Sequence, residues 1–250
     1  MDSENGGAFP ASIEAVWGLR GRPPKGPRPG LTLEGIVAAA VRTADAEGLD
    51  AVSMSRVAKE LGVSTMALYR YVATKDELVV LMADAAVGPP PPLPEGADWR
   101  KGLEHWASAM RTALLAHPWA APLMVTTGPP ATPNQLAWLD LALQALAGTG
   151  LPARAKLATE LLVGGHVLSE VSVVLGMAAE QGPGPRWADY EPFLRRVTGD
   201  GRLPALRAAI EAGAFGDDEP GGAEEVHGTF AYGLARILDG VEAHLRTLRS

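Results

Sequence analysis

The sequence contains no cysteine. That absence excludes disulfides, cysteine-ligated zinc, iron–sulfur clusters and thiol catalysis. It also lacks a long apolar run free of charge. Its most apolar stretch, residues 157–179, carries Glu160, His166 and Glu170. Those groups are costly in hydrocarbon, so the stretch reads as a buried helix, and no membrane partner is expected. Strand-like alternation and internal repeats are missing as well; the β-branched residues 171–175 lie inside a longer helical pattern. No G-x-S-x-G elbow, P-loop, H-E-x-x-H or dinucleotide fingerprint occurs. Gly182-Pro183-Gly184 lacks the strand context of a phosphate loop. The five histidines, at 105, 117, 166, 227 and 244, show no metal-ligand spacing, so no metal and no cofactor is expected.

What is present is a globular composition: 250 residues, 47% hydrophobic, with a net charge of -7. The length allows one large domain or two ordinary ones. The N-terminus carries Asp2 and Glu4 and no apolar run, so a cytoplasmic location is expected. The acidic total does not exclude a nucleic-acid partner, because totals average over faces. Residues 1–80 hold 9 basic and 10 acidic groups, whereas residues 81–250 hold 13 and 19. Within the first segment, Arg20, Arg22, Lys25 and Arg28 form an uninterrupted basic cluster. Gly and Pro dominate residues 1–30, which read as a flexible basic arm.

From Thr32 onward the periodicity is helical and the fold class is all-α. Thr32 caps a helix to about residue 47, stopped by Gly48. Ser53 caps a short helix over 54–61, with Val57, Ala58 and Leu61 inward. Gly62 ends it in a left-handed conformation. Ser64 caps the next helix, over 65–71, with Leu68 inward. Thr74 caps a fourth, and Glu77 completes its capping box. The Pro-rich residues 88–94 read as a linker.

Two short helices joined by Gly62-Val63-Ser64 make a helix-turn-helix. Ser64 caps the second helix and leaves its N-terminal amides facing a phosphate. That helix is too short to be stable alone, so its neighbours must hold it. Its outward residues, Thr65, Met66, Ala67, Tyr69, Arg70 and Tyr71, can read base edges, touch thymine methyls and grip phosphates.

The pattern extends across residues 31–87: Ala44-x-x-x-Gly48-Leu49, Val57-Ala58-x-x-Leu61-Gly62-Val63-Ser64, Leu68-Tyr69-x-Tyr71 and Lys75-x-Glu77-Leu78. It strongly resembles the DNA-binding domain of the tetracycline-repressor (TetR) family. The resemblance implies a three-helix DNA-binding domain over 31–88, a linking helix, and an α-helical ligand-binding and dimerisation domain over 97–250. It implies a homodimer on a palindromic double-stranded DNA operator, released by a small hydrophobic effector. Carried over by position, Ser55 and Arg56 meet phosphate or a base edge, and Lys75 meets the backbone. Arg70 or Thr65 is expected to read bases. Tyr69 and Tyr71 are expected on phosphate, with packing in the small core as the alternative for Tyr71. Met66 and Ala67 offer only apolar contacts. Arg20-Gly21-Arg22-Pro23 resembles the core of an AT-hook, which lays arginines along a minor groove. Arg20, Arg22, Lys25 and Arg28 are therefore expected to add contacts beside the main site. The abundance of Ala, Gly and Pro, with 17 arginines to 5 lysines, fits a GC-rich bacterial genome.

The C-terminal block reads as longer helices. Asp98 caps one through residue 116, striped with Trp99, Leu103, Trp106, Met110 and Leu114. Thr132-Pro133 starts another, carrying Leu136, Leu139, Leu143 and Leu146. The last, about 223–248, carries Val226, Phe230, Leu234, Ile237, Leu238, Val241 and Leu245. Helices apolar on two faces need partners on both, which predicts a four-helix bundle across a two-fold axis. Phe230-Ala231-x-Gly233-Leu234-x-x-Ile237-Leu238-Asp239-Gly240 is similar to the end of the family's C-terminal domain. There the resemblance implies a pocket, with Trp106, Met110, Trp119, Met124, Trp138 and His166 as candidates; ordinary core is the alternative for each. His105 is expected to be solvated. Residues 119–127 lack the histidine that helps the family's namesake hold a metal–drug chelate. A metal-chelated tetracycline is therefore not expected; the three tryptophans among the candidates prompt an aromatic or polyketide-like metabolite as the expected effector. Two other readings stay open: a sequence-tolerant DNA-architectural protein using the basic arm, and an all-α enzyme built from dispersed residues.

Overall fold

The computed structural model describes residues 10–19, 31–126, 128–178, 189–199, 201–215 and 223–249. Arg20, Arg22, Lys25 and Arg28 of the basic arm, the Pro-Gly patch at 182–185 and the Val226 side chain lie outside them. Among the described residues every regular element is helical. In chain order these are α1 (Ala11–Val16), α2 (Leu33–Glu47), α3 (Met54–Leu61), α4 (Thr65–Leu68), α5 (Lys75–Val87), α6 (Trp99–Ala116), α7 (Leu123–Thr126), α8 (Pro133–Ala145), α9 (Ala153–Ala178), α10 (Tyr190–Val197), α11 (Pro204–Glu211) and α12 (Ala223–Arg249). Short 3-10 turns, Leu49–Ala51, Pro118–Ala120 and Ala147–Thr149, connect some of them. The chain packs as two compact units, residues 1–161 and 162–250.

In the first unit the capping expectations translate into bonds. Thr32, Ser53, Thr74 and Asp98 accept from Gly35 N, Arg56 N, Glu77 N and Lys101 N, each satisfying an otherwise orphaned helical amide. Glu77 varies the capping box: its carboxylate accepts from Ala73 N at 3.1 Å, one residue before the cap. Its Oε2 also accepts from the Ser12 hydroxyl at 2.7 Å.

Ser12 belongs to α1, which corrects the reading of 1–30 as arm throughout. The six residues Ala11–Val16 form a helix with Ser12 and Ile13 buried. Ile13 joins the core of α2, α3 and α5, and Trp17 Nε1 donates to Ala131 O at 2.8 Å. A helix this short is stable only through such tertiary contacts, so it leaves no periodic signature in sequence.

The Pro-rich segment after α5 is not a packing boundary, because α5 packs against α6 and α8 beyond it. The buried Asp84 of α5 accepts from Asn134 Nδ2 and Gln135 N, both at 3.0 Å, at the start of α8. Asp84 therefore supplies the helix cap expected of Thr132, whose own hydroxyl has no hydrogen-bond partner. A carboxylate is also favoured there by the helix dipole. α8 buries Trp138, Leu141 and Ala142, and Leu146 just past its end is buried too; Leu136, Leu139 and Leu143 of the expected stripe are only half-buried. Gly102 lets α6 approach α8: a Cβ there would lie 2.9 Å from Ala145 Cβ.

α9 departs from expectation most. It is long and apolar enough to cross a membrane by length and composition alone. Instead of being buried on most sides, it leaves Leu157, Leu161, Leu162 and Val173 exposed. In the second unit, His166 of α9 lies on α12. Its ring stacks on Phe230 at 5.3 Å and Nε2 donates to Phe230 O at 2.9 Å. Gly233 makes room for this, since a Cβ there would collide with the imidazole. α12 buries Phe230, Leu234, Leu238, Val241 and Leu245 and exposes Tyr232.

Candidate nucleic-acid interface and effector region

The turn between α3 and α4 is built by Gly62, at φ 67° and ψ 29°, a left-handed conformation that glycine adopts without Cβ strain. The Val63 amide returns to Ala58 O at 3.0 Å, closing the end of α3. Leu68 and Val72 are fully buried and anchor α4 on the core. Only Thr65–Leu68 is α-helical; the expected continuation to residue 71 is turn. Ser64 occupies the cap position, but its side chain makes no capping bond. The correction leaves the first amides of α4 without a side-chain cap.

Around that short helix, Met66 is 72% and Tyr69 45% exposed. Ser55, Arg56, Ser64, Arg70 and Lys75 are exposed, while Thr65 and Ala67 are half-buried. They lie on α3, the turn, α4 and the start of α5. Ser55 Oγ lies 3.1 Å from Ser53 Oγ, and Arg56 pairs with Glu47 of α2. Tyr71 departs from the expected phosphate role. Its hydroxyl donates to Leu31 O at 2.7 Å and its ring packs on the core, so its one proton is used internally.

Behind this surface, Arg42 and Thr43 of α2 hold Glu60 of α3 at 2.7 and 2.9 Å. Partial desolvation pushes the Glu60 carboxyl up. The hydrogen bonds from Arg42 and Thr43 and the charges of Arg42 and Arg56 outweigh it, leaving the group below its ordinary value. These contacts tie α3 to α2.

The six effector candidates do not share one environment. Trp106 and Trp138 are buried and meet edge-on at 6.0 Å. Trp106 Nε1 donates to Trp138 O at 2.8 Å, and Trp138 Nε1 to Gly88 O at 2.9 Å. Both indoles thus spend their donors joining α6, α8 and the end of α5. Trp119 Nε1 donates to Asp45 Oδ1 at 2.7 Å, and His166 is engaged with Phe230 O. Met110 and Met124 are half-buried. Trp106, Trp119 and Trp138 thus use their indole donors within the protein, which is compatible with either a core or a pocket-lining role for their rings. His105 differs from expectation too: its Nε2 is buried with no hydrogen-bond partner.

Comparison with known proteins adds an independent line. A family model described as "Bacterial regulatory proteins, tetR family" matches residues 36–82. A second, "Tetracyclin repressor-like, C-terminal domain", matches residues 91–245. The HTH-type transcriptional repressor DrrR1 of Streptomyces coeruleorubidus is 35% identical over 250 residues, covering 96% of this chain and 88% of that protein. An HTH-type transcriptional regulator of Saccharopolyspora erythraea is 34% identical over 230 residues, covering 92% of each. Among solved structures, the TetR family protein ActR of Streptomyces coelicolor in complex with actinorhodin superposes with a TM-score of 0.71. It is 25% identical, with 86% of this chain and 99% of that one covered.

Proposed function

The chain belongs to the tetR family of bacterial regulatory proteins, and on that premise we propose how it reads DNA and responds to a ligand. It is a ligand-responsive transcriptional repressor. Two copies bind a palindromic operator, with their α4 helices in successive major grooves about 34–36 Å apart. Thr65 and Arg70 read base edges. Met66 and Ala67 lie against thymine methyls. Ser55, Arg56, Ser64, Tyr69 and Lys75 hold the backbone. The observation that carries this reading is the surface around Gly62, where exposed Met66, Tyr69 and Arg70 surround an α4 start whose amides have no side-chain cap. The exposed leucines of α9 support pairing with a second copy, since apolar area of this kind on a soluble regulator calls for a partner.

The effector is a small, largely apolar aromatic molecule of polyketide type, and its site is in the C-terminal region near Met110 and Met124. Actinorhodin bound to the relative ActR supports that chemical class. A ligand favouring a different spacing of the α4 helices weakens DNA binding by its differential affinity for the two states. No catalytic step is assigned, and the protein acts in the cytoplasm. Arg20, Arg22, Lys25 and Arg28 add phosphate or minor-groove contacts. Truncating the N-terminus would also remove α1, so their neutralisation to alanine is the cleaner test. It should flatten the dependence of affinity on salt.

The deciding experiment selects duplexes from a random pool with the purified protein and footprints the winners. A single palindromic site, protected at nanomolar protein and released by an aromatic polyketide, is expected. Protection indifferent to sequence would return the architectural reading.

A further inference from the structure

Besides the Trp17–Ala131 bond made from α1, the helix-turn-helix is tied to the remainder of its compact unit in two separate ways. One runs through α5, whose Asp84 and Gly88 hold α8. The other bypasses α5. Asp45, in the last turn of α2, accepts from His117 Nδ1 at 2.8 Å and Trp119 Nε1 at 2.7 Å. Both bonds fall on Oδ1, and the two rings meet edge-on with centroids 6.0 Å apart. His117 ends α6, Trp119 lies in the next turn, and Pro118 between them restricts the backbone. Trp119 also packs against the helix-turn-helix core.

The geometry of this clasp has a mechanical consequence. If α5 were the sole connection, α2, α3 and α4 could tilt with it. With Asp45 held, tilting must break two hydrogen bonds, each charge-assisted by the carboxylate. Two residues further on, Glu47 pairs with Arg56 of α3. Movement at the end of α2 therefore displaces the partner of a DNA-facing arginine.

We propose that the Asp45–His117–Trp119 clasp is a second coupling contact, which transmits a rearrangement at the C-terminal end of α6 to the recognition surface without passing through α5. Asp45 is a positioning residue here. The proposal rests on the reading of the chain as an effector-responsive repressor.

The absence of cysteine makes the test direct. Spin labels at Met66→Cys and Gln144→Cys, in chains diluted with unlabelled protein, report one distance within a protomer. The wild-type background should give one narrow distribution. Asp45→Ala and Trp119→Phe should broaden or shift it, whereas Asp45→Asn, which keeps the acceptor oxygen, should restore it. Trp119→Phe retains the ring packing if Asp45→Ala folds poorly. A second readout uses reciprocity, because coupled sites must sense each other from either end. A duplex selected by the wild-type protein should slow hydrogen exchange at the His117 and Ala120 amides by about fivefold or more, the lower end of ordinary coupling. That slowing should vanish in Asp45→Ala and Trp119→Phe. An unchanged distance distribution in both variants overturns the proposal, and so does DNA-dependent protection that persists in them. If no duplex is selected, the operator reading fails, and the distance distribution alone decides the clasp.

Discussion

The recognition surface and the indole pair of α6 and α8 use similar side chains to opposite ends. At the first, Met66, Tyr69 and Arg70 stand out from the fold, while Gly62, Leu68 and the Thr74 cap hold the backbone beneath them. The second, Trp106 with Trp138, turns both indole donors to main-chain carbonyls and pins α6 to α8 and α8 to the end of α5. Tyr69 and Arg70 leave their polar ends exposed, whereas the two indole donors are consumed in fixing helices. The difference separates a binding surface from a connecting core more sharply than residue type does.

That contrast breaks most visibly at Trp106. Trp106→Ala should cost about 3–5 kcal/mol of stability by emptying a fully packed site, read as a large fall in the thermal midpoint. A variant that melts like wild type and only loses affinity for an aromatic effector would place Trp106 in the pocket instead. The opposite behaviour is expected at Arg70. Arg70→Ala should weaken binding to the selected duplex by about 1–3 kcal/mol and relax specificity at one base pair. Its melting should stay within about 0.5 kcal/mol of wild type, as for an exposed residue with no structural duty. Equal loss across all duplexes would make Arg70 a phosphate contact.

Much of the recognition surface was legible in the sequence because its signals are local. A cap hydroxyl lies three residues before the amide it serves, as at Thr32, Ser53 and Thr74, and Gly62 marks its own turn. The rest depends on contacts remote in sequence. Trp119 reaches Asp45 across 74 positions, and Gln135 reaches Asp84 across 51. Helix α1 exists because Ile13, Ser12 and Trp17 each find a tertiary partner. An aromatic stripe has the same spacing whether it lines a pocket or fills a core, so spacing alone does not assign Trp106 and Trp138; the structure adds the carbonyls that their N–H groups reach.

Tyr71 lies on the border between the two kinds of region. Tyr71→Phe should destabilise the helix-turn-helix by about 1 kcal/mol through loss of the bond to Leu31 O, the usual net value of such a bond. Affinity for the selected duplex should hardly change. A loss of DNA binding without a loss of stability would return Tyr71 to the phosphate contacts.

The smallest effects separate Glu60 from Glu160, carboxylates displaced in opposite directions. Burial alone pushes the Glu160 carboxyl above its ordinary value. The folded protein then binds a proton more tightly than the unfolded chain, so stability is greatest below the unfolded value and declines as pH rises through the folded one. Glu160→Gln should therefore raise the melting temperature at neutral pH, at fixed protein concentration, and the gain should disappear near pH ~4. Glu60 has compensation that Glu160 lacks, from Arg42 and Thr43, and its carboxyl is held below the ordinary value. Its contribution is present above the unfolded value and lost as pH falls through the folded one. Glu60→Gln should accordingly lower the melting temperature at neutral pH and become indistinguishable from wild type in acid. Two glutamates whose glutamine variants move melting in the same direction at neutral pH would show that a charged partner does not distinguish these sites. Opposite signs would show that paired partners decide whether a glutamate stabilises its helix, as at Glu60, or is a cost to it, as at the desolvated Glu160 of α9.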